Sequence, residues 1–116
     1  MSWTHLLAYF FGGMFLANAI PHLVSGQMGR AFQSPFAKPP GEGLSSSRVN
    51  VLWGSFNLAV AYALLCRVGT FEWRDLAHVG AAAAGGLLIS IHGASRFGRF
   101  HGGNAPGAAR REPSAE

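Results

Sequence analysis

Five histidines in a chain of 116 residues are the side chains best suited to chemistry. His78 and His92 stand 14 residues apart, which returns to nearly the same face of a helix, one near each end. Imidazole is the usual axial ligand of a b-type haem, so a haem held between two helices is one chemistry the pattern allows. Its other ligands would be His5 and His22, which are 17 residues apart and about 100° off a shared face. A kink at Pro21 would have to absorb part of that offset. Interfacial or hydrogen-bonded imidazoles are the plainer reading, and they need no cofactor. His101 falls in a polar tail and is expected to be solvated. The chain has no HExxH spacing, no Ser/His/Asp set and no phosphate loop, so neither catalytic nor metal-ligating residues are assigned. Cys66, the single cysteine, excludes an internal disulfide and a cysteine-rich metal site. It ends an apolar run, where a small buried hydrophobe is the plain reading and a palmitoylated thiol the sharp one.

The elements that must position these groups follow from the charges. Only 12% of the residues are charged, against about 25% in a soluble domain. Residues 3–24, 49–66 and 76–95 contain no Asp, Glu, Lys or Arg. As helices their 22, 18 and 20 residues would span about 33, 27 and 30 Å, and a bilayer core is about 30 Å thick. Too little chain lies outside them to give a soluble protein its charged surface. The expected fold is therefore an all-α membrane protein, with three transmembrane helices and a long Pro/Gly-rich loop between helices 1 and 2. Residues 1–100 form the membrane domain, and residues 101–116 are expected to be a disordered tail. The net charge of +4 and pI near 10.2 do not point to nucleic acid, because the basic residues sit in loops and the tail and line no face. The run Ala17-Asn18-Ala19 resembles a signal-peptide cleavage site. The first five residues carry no Lys or Arg, however, and the apolar stretch runs on to Val24, so retention as a first span is expected.

Within the second stretch, Asn50, Gly54, Asn57 and Ala61 recur at i, i+4, i+7 and i+11, one helical face. Two amides on that face predict that it points into the bundle, with Val51, Phe56, Val60 and Leu64 outside. One of Ser45, Ser46 and Ser47 should cap this helix. In the third stretch Gly80, Ala81, Ala84 and Gly85 permit a close backbone approach, which predicts association through this helix with a second copy or another chain of a larger membrane complex. Trp73 and Phe71, in the short second loop, suit an interface. Residues 25–48 carry Pro35, Pro39, Pro40, Gly41 and Gly43, which exclude a regular helix. Phe32, Phe36 and Leu44 predict a compact loop, lying on the headgroups or folded back over the bundle. Seven basic residues fall on the side of this loop and the tail, and only Arg67 and Arg74 on the other. That asymmetry predicts an N-terminus outside and a C-terminus in the cytoplasm, in the cell inner (plasma) membrane.

The runs Asn18-Ala19-Ile20-Pro21-His22, Ser34-Pro35-Phe36-Ala37-Lys38-Pro39-Pro40-Gly41 and Asn50-Val51-Leu52-Trp53-Gly54 resemble an uncharacterised family of small bacterial multi-pass membrane proteins. The resemblance covers residues 5–95. It implies a membrane location and no chemistry.

With this topology His22, Asn50 and His92 fall at one end of the three spans, and Asn18, Asn57 and Ser90 lie deeper, about 8–12 Å from that end. Six polar residues are thus expected to meet at two matched depths. They would form either interhelical hydrogen bonds or a small-ligand or ion site under the first loop. In that case Pro39, Pro40 and Gly41 would hold a fixed lid, with Phe32 and Phe36 docked on the helix ends. No span holds the carboxylate or lysine that ion-coupled transport commonly uses. A non-catalytic accessory or assembly component of the membrane is the leading functional expectation. A haem- or ligand-binding subunit and an oligomeric channel lined by Asn and Ser are the alternatives.

Overall fold

A computed structural model describes residues 2–109, and residues 110–116 of the expected disordered tail lie outside them. The described residues form three long helices: α1 (Trp3–Gln27), α2 (Ser47–Cys66) and α3 (Leu76–His101). Each is long and apolar enough to cross a membrane. A single turn of helix, α4 (Pro106–Ala109), follows. The first connection holds a two-stranded antiparallel ladder, β1 (Phe32–Gln33) and β2 (Leu44–Ser45), with Phe32 opposite Ser45 and Gln33 opposite Leu44.

The helix ends follow local chemistry. Ser46 caps α2, its side chain accepting from the Val49 amide at 3.2 Å. Asp75 caps α3 by accepting from the Ala77 amide at 2.9 Å and the His78 amide at 3.4 Å. Gly102, at φ +80°, takes the left-handed conformation that ends α3. All three helices extend a few residues beyond the charge-free stretches. The clearest case is α3, which runs on through Arg96 and Arg99 to His101.

The packing is α1 at the centre, with α2 and α3 each laid against it and barely touching one another. Glycines on α1 make both contacts close. A Cβ on Gly12 would overlap Leu65, and one on Gly26 would overlap the Ser47 carbonyl and Val51. On the opposite side a Cβ on Gly13 would overlap the Ala82 backbone, and one on Gly85 would overlap the Phe10 carbonyl. Small residues therefore set the helix separation, as they do in membrane bundles, where lipid removes the hydrophobic drive between helices. The close approach expected of α3 is real at Gly85. Gly80 meets no atom within 4 Å and faces outward.

The expected face of α2 is buried in full, at Asn50, Gly54, Asn57 and Ala61. Phe56 is exposed as expected, whereas Val51, Val60 and Leu64 are half-buried, Val51 fitting against Gly26 and Leu64 against Gly12. The largest fully buried side chains are Tyr9, Asn50, Asn57 and Ser34, while Leu52, Leu76 and Leu87 stand 71%, 85% and 63% exposed. The interior is more polar than the exterior, the reverse of a water-soluble domain.

The first loop folds back over the bundle. Phe32 packs edge-on against His22 and Phe97 and stacks on His101, and Phe36 packs edge-on against Trp53. At the opposite end Phe71 tucks against Tyr9, while Trp73 stays 77% exposed.

Replacing Gly85 or Gly13 by Leu is expected to lower thermal stability in detergent by at least the 1–3 kcal/mol typical of overpacking, because backbone faces each site. Gly80→Leu should leave the melting temperature unchanged. Equal losses at all three positions would contradict the α1–α3 packing.

Candidate functional site

The six expected polar residues divide into two hydrogen-bonded pairs and two residues that stand apart. His22 meets Asn50 at 2.7 Å across α1 and α2, and both are buried, at 2% and 0% exposure. One and two turns further into the bundle, Asn18 Nδ2 donates to Asn57 Oδ1 at 3.1 Å. The two depths expected from the sequence are both present. Ser90 and His92 on α3 are exposed and hydrogen-bond to nothing among the described residues. They line two neighbouring cavities: His92 borders one of about 330 Å³, and Ser90 one of about 510 Å³.

The direction of each hydrogen bond is fixed by backbone carbonyls. The Asn50 Nδ2 group is shared among the carbonyls of Phe32 at 3.3 Å, Ser45 at 3.1 Å and Ser46 at 3.0 Å. Carbonyls only accept, so Asn50 Oδ1 must be the atom that faces His22. The neutral His22 ring therefore donates from Nδ1 and keeps Nε2 as an acceptor. The second pair is ordered in the same way. Asn57 Nδ2 donates to the Trp53 carbonyl at 2.7 Å, so its Oδ1 accepts from Asn18, and Asn18 Oδ1 is left over. Each relay starts on a carbonyl of the chain and ends on an unpaired acceptor.

The donors at this end were missed in the sequence. Trp53 Nε1 is buried and has no partner, an arrangement that costs about 1–3 kcal/mol where nothing compensates it. A tryptophan three residues after Asn50 and four before Asn57 shares their face, and that spacing was the available signal. Arg96 is the second missed residue. Its guanidinium lies against Gly41, where a Cβ would come within 3.0 Å of Nη2 and 3.2 Å of Nε. At φ +73°, Gly41 is also in a conformation that favours glycine. Arg96 has no hydrogen-bond or ion-pair partner among the described residues, whereas Arg99 reaches Glu42 at 3.3 Å. As the first charge after the third charge-free stretch and one turn past His92, it was legible as a candidate.

Ser34, 1% exposed, shapes the lid. Its hydroxyl hydrogen-bonds the Ser45 hydroxyl and accepts from the Phe36 amide, and its carbonyl accepts from the Gly41 amide at 2.8 Å. His101, placed in the tail by its sequence, instead stacks on Phe32 and hydrogen-bonds Gln33 at 2.9 Å.

Of the four histidines of the haem alternative, two make hydrogen bonds through Nδ1, while His5 and His92 make none among the described residues and His22 keeps Nε2 free. His78 accepts from the Glu72 amide at Nδ1 and holds Nε2 3.6 Å from Asp75, and His22 spends Nδ1 on Asn50. Among the described residues no group of three or more His, Cys, Asp or Glu side chains is placed to hold a metal. Asn50 and Asn57, the amides a channel would use, are buried inside the chain. The chain matches no family model, no curated protein and no solved structure.

Asn50→Leu is expected to cost more than 2 kcal/mol, because the His22 N–H and several carbonyls lose their partner together. It should also open residues 28–46 to chymotrypsin, which cuts after Phe32 and Phe36. Asn57→Leu removes one membrane-depth pair, worth about 0.6 kcal/mol on average, and His92→Leu should change nothing. Thermal melts and limited proteolysis in detergent would check this order. Equal effects of Asn50→Leu and His92→Leu would overturn it.

Proposed function

We propose that this chain is an integral protein of the cell inner (plasma) membrane that crosses it three times and acts as a non-catalytic accessory or assembly component. The observation that carries the reading is the outer face of α3. Leu76, Leu87, Leu88 and Ile91 are 85%, 63%, 56% and 59% exposed, while the helix buries only Gly85 and Gly98. A contiguous apolar surface of that kind calls for lipid or another membrane chain to cover it. The charges support an orientation with the N-terminus outside and the C-terminus cytoplasmic. Arg30, Lys38, Arg48, Arg96 and Arg99 lie toward the end bearing the first loop, and Arg67 and Arg74 lie in the opposite loop. The three spans carry no carboxylate or lysine for proton or ion transfer. The Pro/Gly-rich loop then acts as a fixed cover on the cytoplasmic end.

Association runs through the side of α3 that α1 leaves free. Gly80, Ala84, Leu87 and Ile91 fall on one helical face, and all four are exposed. Gly85 is already used by α1.

A reporter active only in the cytoplasm should work when fused after Glu116 and fail when fused at the N-terminus. The reverse pattern would overturn the orientation, and activity at both ends would mean an even number of spans. Cross-linking in membranes should capture an oligomer or a partner chain whose yield falls several-fold with Gly80→Leu at unchanged melting temperature. An unchanged yield would remove α3 as the contact.

A further inference from the structure

The end of the bundle covered by the first loop contains a cavity of about 330 Å³ with α1 as its floor, Trp53 and Arg96 on its walls and Gly41 in its roof. Its polar lining is Asn18, His22, Ser34, His92 and Arg96, with the Trp53 ring beside them. The two amide relays leave Asn18 and His22, both lining the cavity, with unpaired acceptors at Oδ1 and Nε2. The Arg96 guanidinium is held against Gly41 with no carboxylate beside it among the described residues, and the Trp53 ring lines the wall with its Nε1 closed off from the void. A ligand that satisfies Arg96, Asn18 and His22 together must present an anionic acceptor to the first and a hydroxyl donor to each of the other two.

Two further observations narrow the ligand. Arg96 ends the third charge-free stretch, which puts the guanidinium at the depth of lipid phosphates. The neighbouring cavity of about 510 Å³ shares Asn18, Ile89, Gly93 and Phe97 with the first and is walled by apolar side chains such as Ile20, itself 58% exposed on the outer surface. This room exists because α1 and α3 separate toward the loop. A Cβ on Gly86 would meet Gly13 and Ala17 of α1, while a Cβ on Gly93, two turns later on the same face, would meet only Phe97. A charged pocket beside an apolar groove suits a polar head with an acyl tail.

We propose that this cavity binds a phosphate ester bearing two free hydroxyls, the headgroup chemistry of phosphatidylglycerol. The inference rests on the membrane reading above, since the same head could also arrive as a soluble glycerol phosphate. The test uses the full chain, labelled with ¹⁵N at tryptophan, delipidated in an uncharged detergent and titrated with short-chain phosphatidylglycerol, phosphatidylcholine of equal chain length, or glycerol 3-phosphate. The indole N–H of Trp53 reports the site, and Trp3 and Trp73, 80% and 77% exposed, serve as internal controls.

Phosphatidylglycerol is expected to move the Trp53 signal saturably, with phosphatidylcholine leaving it in place. Saturation by glycerol 3-phosphate at similar concentration would assign a soluble source, and its failure the lipid. Arg96→Gln should weaken binding about tenfold, as for one lost charge-assisted hydrogen bond. Arg99→Gln, at the same end but paired with Glu42, should not. If Arg96→Gln loses the folded spectrum, Arg96→Lys replaces it and must still weaken binding. The proposal is overturned if phosphatidylcholine moves Trp53 equally, if neither phosphate ester moves it, or if Arg99→Gln costs as much as the Arg96 variant. Failure of binding while the protein resists alkaline extraction from membranes would sink the site and leave the membrane reading standing. Loss from the membranes would sink the latter.

Discussion

A fully buried carboxamide must find its partners within the protein, because no water reaches it, and at Asn50 that constraint sets the geometry of three segments at once. Its Nδ2 reaches the carbonyls of Phe32, Ser45 and Ser46, and its Oδ1 holds His22 on α1. The ladder between Phe32–Gln33 and Leu44–Ser45 is only two residues long on each side. A hairpin of that size has little stability of its own in water. Its register persists because Asn50 ties both strands to the first turn of α2. The cover over the bundle is thus a consequence of one buried amide, and the proline-rich tip, with Ser34 inside it, is organised on that base.

The bundle itself depends on α1. With α2 and α3 scarcely in contact, every long-range restraint on α3 passes through α1 or the loop. Gly13 and Gly85 supply the first, and Phe32 with His101 and Arg99 with Glu42 supply the second. The surface ion pair adds little, since both partners are about half exposed and screened. The aromatic stack and the glycine contact therefore hold the two ends of α3, and the helix between them is free to separate from α1. That separation is what leaves the cavities of about 510 and 330 Å³ beside Asn18.

Periodicity made the inner face of α2 readable because two amides cannot face lipid, and the four positions Asn50, Gly54, Asn57 and Ala61 admit one rotation of the helix. It could not do the same for α3. Small residues occur all round that helix between Gly80 and Gly86, so composition permits close approach on several faces. The choice of Gly85 over Gly80 is made by where Phe10 and Gly13 present their carbonyls. Ser90 misses the cluster for a related reason: five residues beyond Gly85, it lies about 140° round the helix. His92 is only about 20° off the Gly85 face, yet it remains exposed because the helices have parted by then. The loop was legible as compact from Phe32 and Phe36, but its ladder was not, since two-residue strands have no alternation to read. His101 looked solvated because its partners, Phe32 and Gln33, lie nearly seventy residues away in sequence.

Two buried polar atoms among the described residues lack a partner, Tyr9 Oη at one end and Trp53 Nε1 at the other, and their surroundings give them different meanings. Tyr9 is enclosed by the rings of His5, Phe71 and His78, and its hydroxyl lies where a Cβ on Gly69 would stand 2.7 Å away. Neither of the two cavities beside Asn18 includes Tyr9 in its lining. Its unpaired hydroxyl is a cost of filling that end with aromatic rings. The Trp53 ring instead lines a cavity shared with a guanidinium that has no partner among the described residues and with two acceptors whose polarity the backbone has already fixed, although Nε1 itself is closed off from that space. Packing alone would have no reason to leave donors and acceptors sorted around one void. A bound group would complete the guanidinium and both acceptors together, and this separates the loop end from the aromatic end as the place where the protein meets a ligand.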